Sequence, residues 1–354
     1  MKHLIKPGIL KNGDTVATIS LSWAGAGLFP DRYEQGKKQI QDTFGLRVVE
    51  MPNSLRTDLY ENPQLRLNDF MQAFLDPNIK AIITNIGGSE TIRLLRHMTE
   101  EHFKIIQNNP KIFIGMSDTT VNHFMCMKAG LSSFYGTSTL FGFAENGGIP
   151  ELIKNSIIHT LFEKPIEQTL ESANEFIIDK VRWGTNTIRE RTKTEGWKYI
   201  QGTSRVQGRL LGGCVESLNM INGTCLWPSL EEWEDTILFL ETSEDMLPPE
   251  VFGYFLRNLG AQGILGKVNG ILFGRPGGTI KKEDTEKKEK WLSTYKDFDK
   301  YLLKVCQEYG RSDMPIVTNM DFGHTVPQIL LPYGILTEID PINKTVKFLE
   351  AAVC

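Results

Sequence analysis

Short apolar runs alternate with stretches of helical spacing through the first 165 residues. Thr15-Val-Ala-Thr-Ile-Ser-Leu-Ser22 reads as a first strand, and the segment around Arg47–Met51 as a second. Leu67, Phe70, Met71, Phe74 and Leu75 recur at helical spacing and predict a helix over 67–75, stopped by Asp76-Pro77-Asn78. Ile79–Asn85 is a continuous apolar run of buried-strand length, and it leads through Gly87-Gly88-Ser89-Glu90 into a helix from Thr91 to about Met98. A strand over 111–115, a turn at Ser117 and a helix to about Lys128 complete the series. Repeated βα units predict a parallel sheet covered by helices on both faces. Ligands sit at the carboxyl ends of such strands, and both Gly87-Gly88 and Ser117 fall on that edge.

The pattern changes at 166–205, which is polar and charged, holds Trp183, Trp197 and Tyr199, and lacks clean periodicity. It reads as a linker or flap. From Arg205 onward β-type runs return at Val206–Gly213, Thr236–Glu241, Val268–Gly274 and Thr345–Leu349, with helices expected over Cys214–Ile221 and Pro249–Leu259. The chain therefore divides into residues 1–165, the segment 166–205, and a β-rich α/β unit over 206–354. A length of 354 residues agrees, being long for one core. The mixed-sign run Lys281–Lys290 reads as a solvated insertion that could move.

Composition narrows the class. A net charge of -4 and a pI near 6.0 argue against a nucleic-acid partner. No window approaches 18 uninterrupted apolar residues, so no membrane span is expected, and Met1–Gly8 lacks the apolar core of a secretory signal. The five cysteines are odd in number and none are paired at metal-ligand spacing. Reduced thiols in a cytoplasm, with no metal, account for them.

Candidate chemistry centres on Lys111-Ile-Phe-Ile-Gly-Met-Ser-Asp118. A serine at a sharp strand-to-helix turn is held out of the sheet, and the N–H of the next residue is free to stabilise an oxyanion. Ser117-Asp118 would equally serve as a helix cap. A nucleophile needs a base, and the base an orienting carboxylate. His3 lies in the tail, His97 and His102 sit among Arg96, Glu100 and Glu101, His159 is near the linker, and His123 is directed down the following helix. His324 stands in the Gly/Pro-bounded loop Asp321–Pro327, and Glu241 ends an apolar strand where a charge suits a site better than a core. A turn residue and a solvated strand end describe these two as well, and spacing alone does not bring them together.

Five segments carry a resemblance: Lys80–Gly88, Ile114–Asp118, Gly208–Gly213, Leu238-Phe-Leu-Glu-Thr-Ser-Glu244 and Phe322-Gly-His324. In this order they are similar to the serine LD-carboxypeptidase (muramoyltetrapeptide carboxypeptidase) family, over nearly the whole chain, and the length and Leu-Glu-Thr-Ser-Glu phrase look more like its microcin C immunity, MccF-like branch. The resemblance implies a Rossmann-like N-terminal domain and a swivelling-type β/α C-terminal domain with the site between them. It implies a triad of Ser117, Glu241 and His324, an oxyanion hole from the backbone N–H groups of Gly88 and Asp118, no cofactor, and a homodimer. The branch implies cleavage of aminoacyl- or peptidyl-nucleotide conjugates, with Trp183 as the residue that would stack on the base; the parent family implies trimming of muropeptide tetrapeptides. Cys214 departs from the Asn that family members commonly carry after the Gly-Gly. An α/β-hydrolase esterase would share the Ser…Glu…His order, but Thr119 replaces the final Gly of its G-x-S-x-G. A non-catalytic nucleotide- or sugar-binding protein could use Gly87-Gly88 to hold phosphate at a helix N-terminus, leaving Glu241 and His324 unexplained.

Overall fold

The computed structural model describes residues 3–179, 183–278, 280–281 and 283–354. Two sheets organise it. The first runs Leu331–Pro332, Phe134–Tyr135, Ile112–Gly115, Ile79–Thr84, Thr15–Ile19, Arg47–Glu50 in spatial order. Its five N-terminal strands pair in parallel, and only Leu331–Pro332 runs antiparallel. Thr15–Ile19 and Ile112–Gly115 are buried throughout, as strands covered on both faces must be. The fold class read from the sequence holds.

The second sheet has eight strands in the order Gln168–Thr169, Thr345–Phe348, Leu336–Asp340, Val206–Cys214, Thr236–Glu241, Val268–Gly274, Ile316–Met320, Lys198–Gln201. Its centre is parallel and its flanks antiparallel. Both of its outermost strands come from the segment 166–205, while Glu175–Phe176 and Thr192–Lys193 form a small hairpin of their own.

Two expectations change in detail, and two helices are added. The stretch after Glu90 is a 3-10 helix over Thr91–His97 rather than an α-helix. Helices over Pro30–Phe44 and Glu100–Asn108 fill the βα connections. The charged run near 281–290 largely enters an α-helix, Thr285–Ser293, in which Asp284 caps the Lys287 N–H; residue 282 lies outside the described residues.

Candidate active site

Ser117 follows the strand Ile112–Gly115 and opens a single 3-10 turn before the helix Thr120–Lys128. Its φ is +61°, a left-handed conformation that a serine adopts only where its surroundings impose it. The loop at Gly87 packs directly over it: a Cβ at Gly87 would stand 3.1 Å from Ser117 Oγ. Among the described residues, neither the Gly88 nor the Asp118 N–H is engaged in a hydrogen bond.

The Asp118 side chain organises this corner. Buried, its Oδ2 accepts from Ser22 Oγ, from the N–H groups of Glu90 and Thr91 at 2.9 and 2.8 Å, and from Thr91 Oγ1 at 2.7 Å. One carboxylate thus ties the loop after the first strand and the Gly87-Gly88 loop to the serine turn. Charge-assisted bonds to backbone N–H groups are strong, and this one fixes three strand ends relative to each other.

The second half of the chain approaches from the opposite side. Ser217 Oγ donates to the Ser117 carbonyl at 3.2 Å, and the Cys214 N–H donates to Thr120 Oγ1 at 3.1 Å. Cys214 is buried and its Sγ faces Glu216 Oε2 at 3.2 Å. Burial, then the charges of Glu241 and Glu216, push its thiol well above the usual range. It is a packed, protonated thiol rather than a nucleophile.

Glu241 and His324, separated by 83 residues, meet: His324 Nδ1 lies 2.8 Å from Glu241 Oε2. Both are nearly inaccessible, with side chains 0% and 7% exposed. The contact needs Gly323, whose φ is +92° and where a Cβ would fall 2.6 Å from Glu241 Oε2. The other oxygen of Glu241 accepts from the Tyr135 hydroxyl, which in turn accepts the Ser117 N–H at 2.9 Å. Ser117 and Glu241 are therefore linked through one buried phenol. Sequence reasoning missed Tyr135, and missed Glu244 as well, whose Oε2 lies 3.1 Å from His324 Nε2. Among the described residues no hydrogen bond joins Ser117 Oγ to His324. Burial opposes protonation of His324, but the Glu241 and Glu244 carboxylates outweigh it and hold its pKa well above the ordinary histidine value.

The remaining histidines stand elsewhere. His123 is buried and braces the strand before the turn. His102 closes a capping box with Thr99, and His159 pairs with Glu163. Trp183 lies in an aromatic cluster, 5.4 Å from Trp23 and 4.9 Å from Phe29 between ring centroids, with the Arg32 guanidinium 5.6 Å from its ring. Trp23 donates its backbone N–H to Gly87 O at 3.1 Å, so this cluster adjoins the Gly87-Gly88 loop. Among the described residues no group of three or more His, Cys, Asp or Glu is arranged to hold a metal, and no helix is long and apolar enough to cross a membrane.

Comparison with known proteins decides the family. Residues 16–136 match the LD-carboxypeptidase N-terminal domain, and residues 207–339 match the LD-carboxypeptidase C-terminal domain. The chain belongs to the LD-carboxypeptidase family. Among its family relatives, a protein assigned as a carboxypeptidase in Vibrio cholerae is 26% identical, over 96% of both chains. The microcin C7 self-immunity protein MccF of Escherichia coli is also 26% identical, over 98% of this chain and 96% of its own. An MccF-like protein of Streptococcus pneumoniae, solved in complex with AMP, superposes with a TM-score of 0.82 at 28% identity, covering 95% of this chain and 98% of its own. This LD-carboxypeptidase-family member is thus a hydrolase of the peptidase class, with MccF-type architecture.

Proposed function

We propose that this protein is a serine peptidase of the MccF type, which hydrolyses the acyl bond of aminoacyl- or peptidyl-nucleotide conjugates and so detoxifies them. The observation that carries the reading is the buried Glu241–His324 pair, which is linked through Tyr135 to a serine held at positive φ. A carboxylate that orients an imidazole, tied through one phenol to a half-buried strand-end serine, has the parts of acyl-transfer catalysis. Ser117 attacks the carbonyl, and His324 Nε2 takes its proton while Glu241 holds Nδ1–H and stabilises the imidazolium. The unengaged N–H groups of Gly88 and Asp118 receive the oxyanion. His324 then returns the proton to the leaving group, and water hydrolyses the acyl-enzyme along the same path.

The nucleotide assignment rests on Trp183 and its neighbours. Trp23, Phe29 and Trp183 present aromatic faces beside the Gly87-Gly88 loop, and an aromatic there would hold a base of a substrate whose acyl group reaches Ser117. The similarity to MccF and the AMP in the related pneumococcal structure support a substrate that carries a nucleotide.

Two measurements test the reading. Purified protein is offered an aminoacyl-nucleotide conjugate and a muropeptide tetrapeptide, with products read by mass spectrometry. Cleavage of the conjugate is expected; cleavage of the tetrapeptide alone returns the protein to cell-wall trimming. Ser117→Ala should lower turnover by about 10⁴-fold or more with the fold intact. Trp183→Ala should lower kcat/KM for the conjugate by about 10- to 100-fold, the worth of one base stack, and leave other acyl substrates nearly unaffected.

A further inference from the structure

His324 lies in an irregular loop and has no backbone bond of its own. Among the described residues neither its N–H nor its carbonyl takes part in a hydrogen bond. Whatever fixes its ring opposite Glu241 therefore acts on the loop to either side. The Ile329 N–H donates to the Asp321 carbonyl at 2.7 Å and closes the neck. Gln328 Nε2 donates to the Gly323 carbonyl at 2.5 Å. These two bonds close the loop on itself but do not place it in the molecule.

Placement comes from two other parts of the chain. The segment 166–205 grips the loop both before and after His324. Asp321 Oδ2 accepts from the Ala173 N–H at 2.9 Å, from Trp197 Nε1 at 2.7 Å and from Ser172 Oγ at 3.3 Å. Further along the same segment, Ile177 and Val326 exchange both backbone bonds, at 2.7 and 3.1 Å. The loop after the strand Val268–Gly274 supports the other flank. There Arg275 pairs with Asp321 Oδ1, and its backbone N–H donates to the Met320 carbonyl at 3.0 Å. Gly277 lies so close that a Cβ on it would stand 2.6 Å from His324 Cβ. The Arg275 and Asp321 side chains are both fully buried. A buried ion pair adds little net stability, because desolvation offsets its attraction. The single arrangement it enforces explains it better.

We propose that Asp321 is a positioning residue for His324, joining the segment 166–205 to the Arg275–Gly277 loop so that the imidazole is held on Glu241. The inference rests on the serine-peptidase reading above and adds to it a residue that acts through the base. It also makes the segment 166–205 part of the catalytic frame and not merely a connection. Only a carboxylate suits the position. Arg275, Ala173 and Trp197 all donate there, and an ionised carboxyl group accepts on both oxygens whereas an amide brings two N–H groups of its own. Charge-assisted bonds are also the stronger ones, which suits a loop whose central residue has no backbone anchor.

The test compares wild type with Asp321→Asn and Trp197→Phe, each at a temperature where circular dichroism shows it folded. Asp321→Asn should lower kcat for an aminoacyl-nucleotide conjugate by about 100-fold, the cost of a base displaced by about 1 Å, with KM nearly constant. Trp197→Phe removes one donor and strands no charge, and should lower kcat by about 3- to 10-fold. Fluorophosphonate labelling of Ser117, in which the Oγ–P bond forms, P–F breaks, fluoride leaves and the Oγ proton passes to His324, should slow by the same factors. Histidine ring NMR supplies a signature that lost stability alone would not move. The low-field His324 Nδ1–H resonance of the Glu241 contact should broaden or shift upfield in both variants. Folded variants with wild-type kcat and labelling overturn the proposal, as does lowered kcat with an unchanged Nδ1–H resonance. If Asp321→Asn does not fold, Trp197→Phe decides by the same criteria. A wild type that takes no label at any pH marks the failure of the serine reading instead, and the Nδ1–H resonance then decides the role of Asp321 directly.

Discussion

Tyr135 hydroxyl sits where three requirements converge. It accepts the Ser117 N–H, donates to Glu241, and belongs to a side chain that is itself fully buried. Burial first, then the Glu241 charge, push its pKa well above the ordinary tyrosine range, so it remains a donor throughout the working pH. Tyr135→Phe leaves the Ser117 N–H and one Glu241 oxygen without their partner, and each buried unsatisfied group costs about 1–3 kcal/mol. We expect a clear loss of stability in urea and a fall in kcat of about 10- to 100-fold, with KM nearly constant, because the defect misplaces Ser117, the proposed nucleophile, rather than the substrate. A variant with normal kcat would remove Tyr135 from the catalytic arrangement. Ser117 was legible in the sequence because the strand, the glycine and the acid around it are local. Tyr135 was not, since its meaning comes from Glu241, 106 residues away. Glu244 was equally hidden: its proximity to His324 exists only once the turn after Thr236–Glu241 folds back on the Asp321–Pro327 loop.

Between strand and helix, His123 shows how the serine turn is kept in shape. Its Nε2 lies 3.0 Å from the Gly115 carbonyl and its Nδ1 2.8 Å from Ser133 Oγ. A carbonyl only accepts, so Nε2 carries the proton and Nδ1 accepts the serine hydroxyl. Complete burial depresses the His123 pKa to about 3, against its Gly115 hydrogen bond. The folded value lies below the unfolded one of about 6.5, so the unfolded chain binds the extra proton first. The stabilising contribution is therefore complete above pH ~6.5 and fades as pH falls toward about 3, at a slope of about 1.4 kcal/mol per pH unit. His123→Gln should unfold more easily at pH 7 yet lose less stability than wild type between pH 6.5 and 4.5, as read from urea midpoints. Parallel curves would mean the ring titrates freely. At this scale the sequence was most readable where apolar residues dominate, as in Leu67–Leu75 and Ile79–Thr84. The helix Pro30–Phe44 left a faint trace because only Tyr33, Ile40 and Phe44 are buried apolar side chains on it, and Gly36 takes the place of a fourth against Thr139 O.

Across the whole molecule, the segment 166–205 joins parts that the alternation of strands keeps separate. Its two-residue strand Gln168–Thr169 and its strand Lys198–Gln201 are too short and too polar to leave a period, yet they occupy both edges of the second sheet. Trp197 Nε1 donates to Asp321 Oδ2 at 2.7 Å, which reaches the loop that carries His324. A chain of charges then runs past Trp183. Arg32 and Arg189 lie 3.4 and 2.7 Å from Glu145, Arg189 donates to the Asp179 carbonyl at 2.8 Å, and Lys288 reaches Asp179 Oδ1 at 3.2 Å. Lys288 belongs to the run that reads from sequence as solvated, but its side chain is only 14% exposed and Asp179 is 3% exposed. A lysine stem lying along the surface with its ammonium on a buried acid leaves no mark in a mixed-sign sequence. Among the described residues Lys288 is the cation in ion-pair range of Asp179, so Lys288→Met strands a buried carboxylate, which typically costs about 3 kcal/mol or more. Asp179→Asn in the same chain should restore most of that stability, since the buried charge is then gone. Because this ionic chain reaches the Trp183 ring through Arg32 and does not touch Ser117, Lys288→Met should lower kcat/KM for an aminoacyl-nucleotide conjugate while fluorophosphonate labelling of Ser117 keeps its wild-type rate at a temperature where both proteins are folded. Equal losses in both assays would place this ionic chain in the support of the serine turn and not of the aromatic cluster around Trp183.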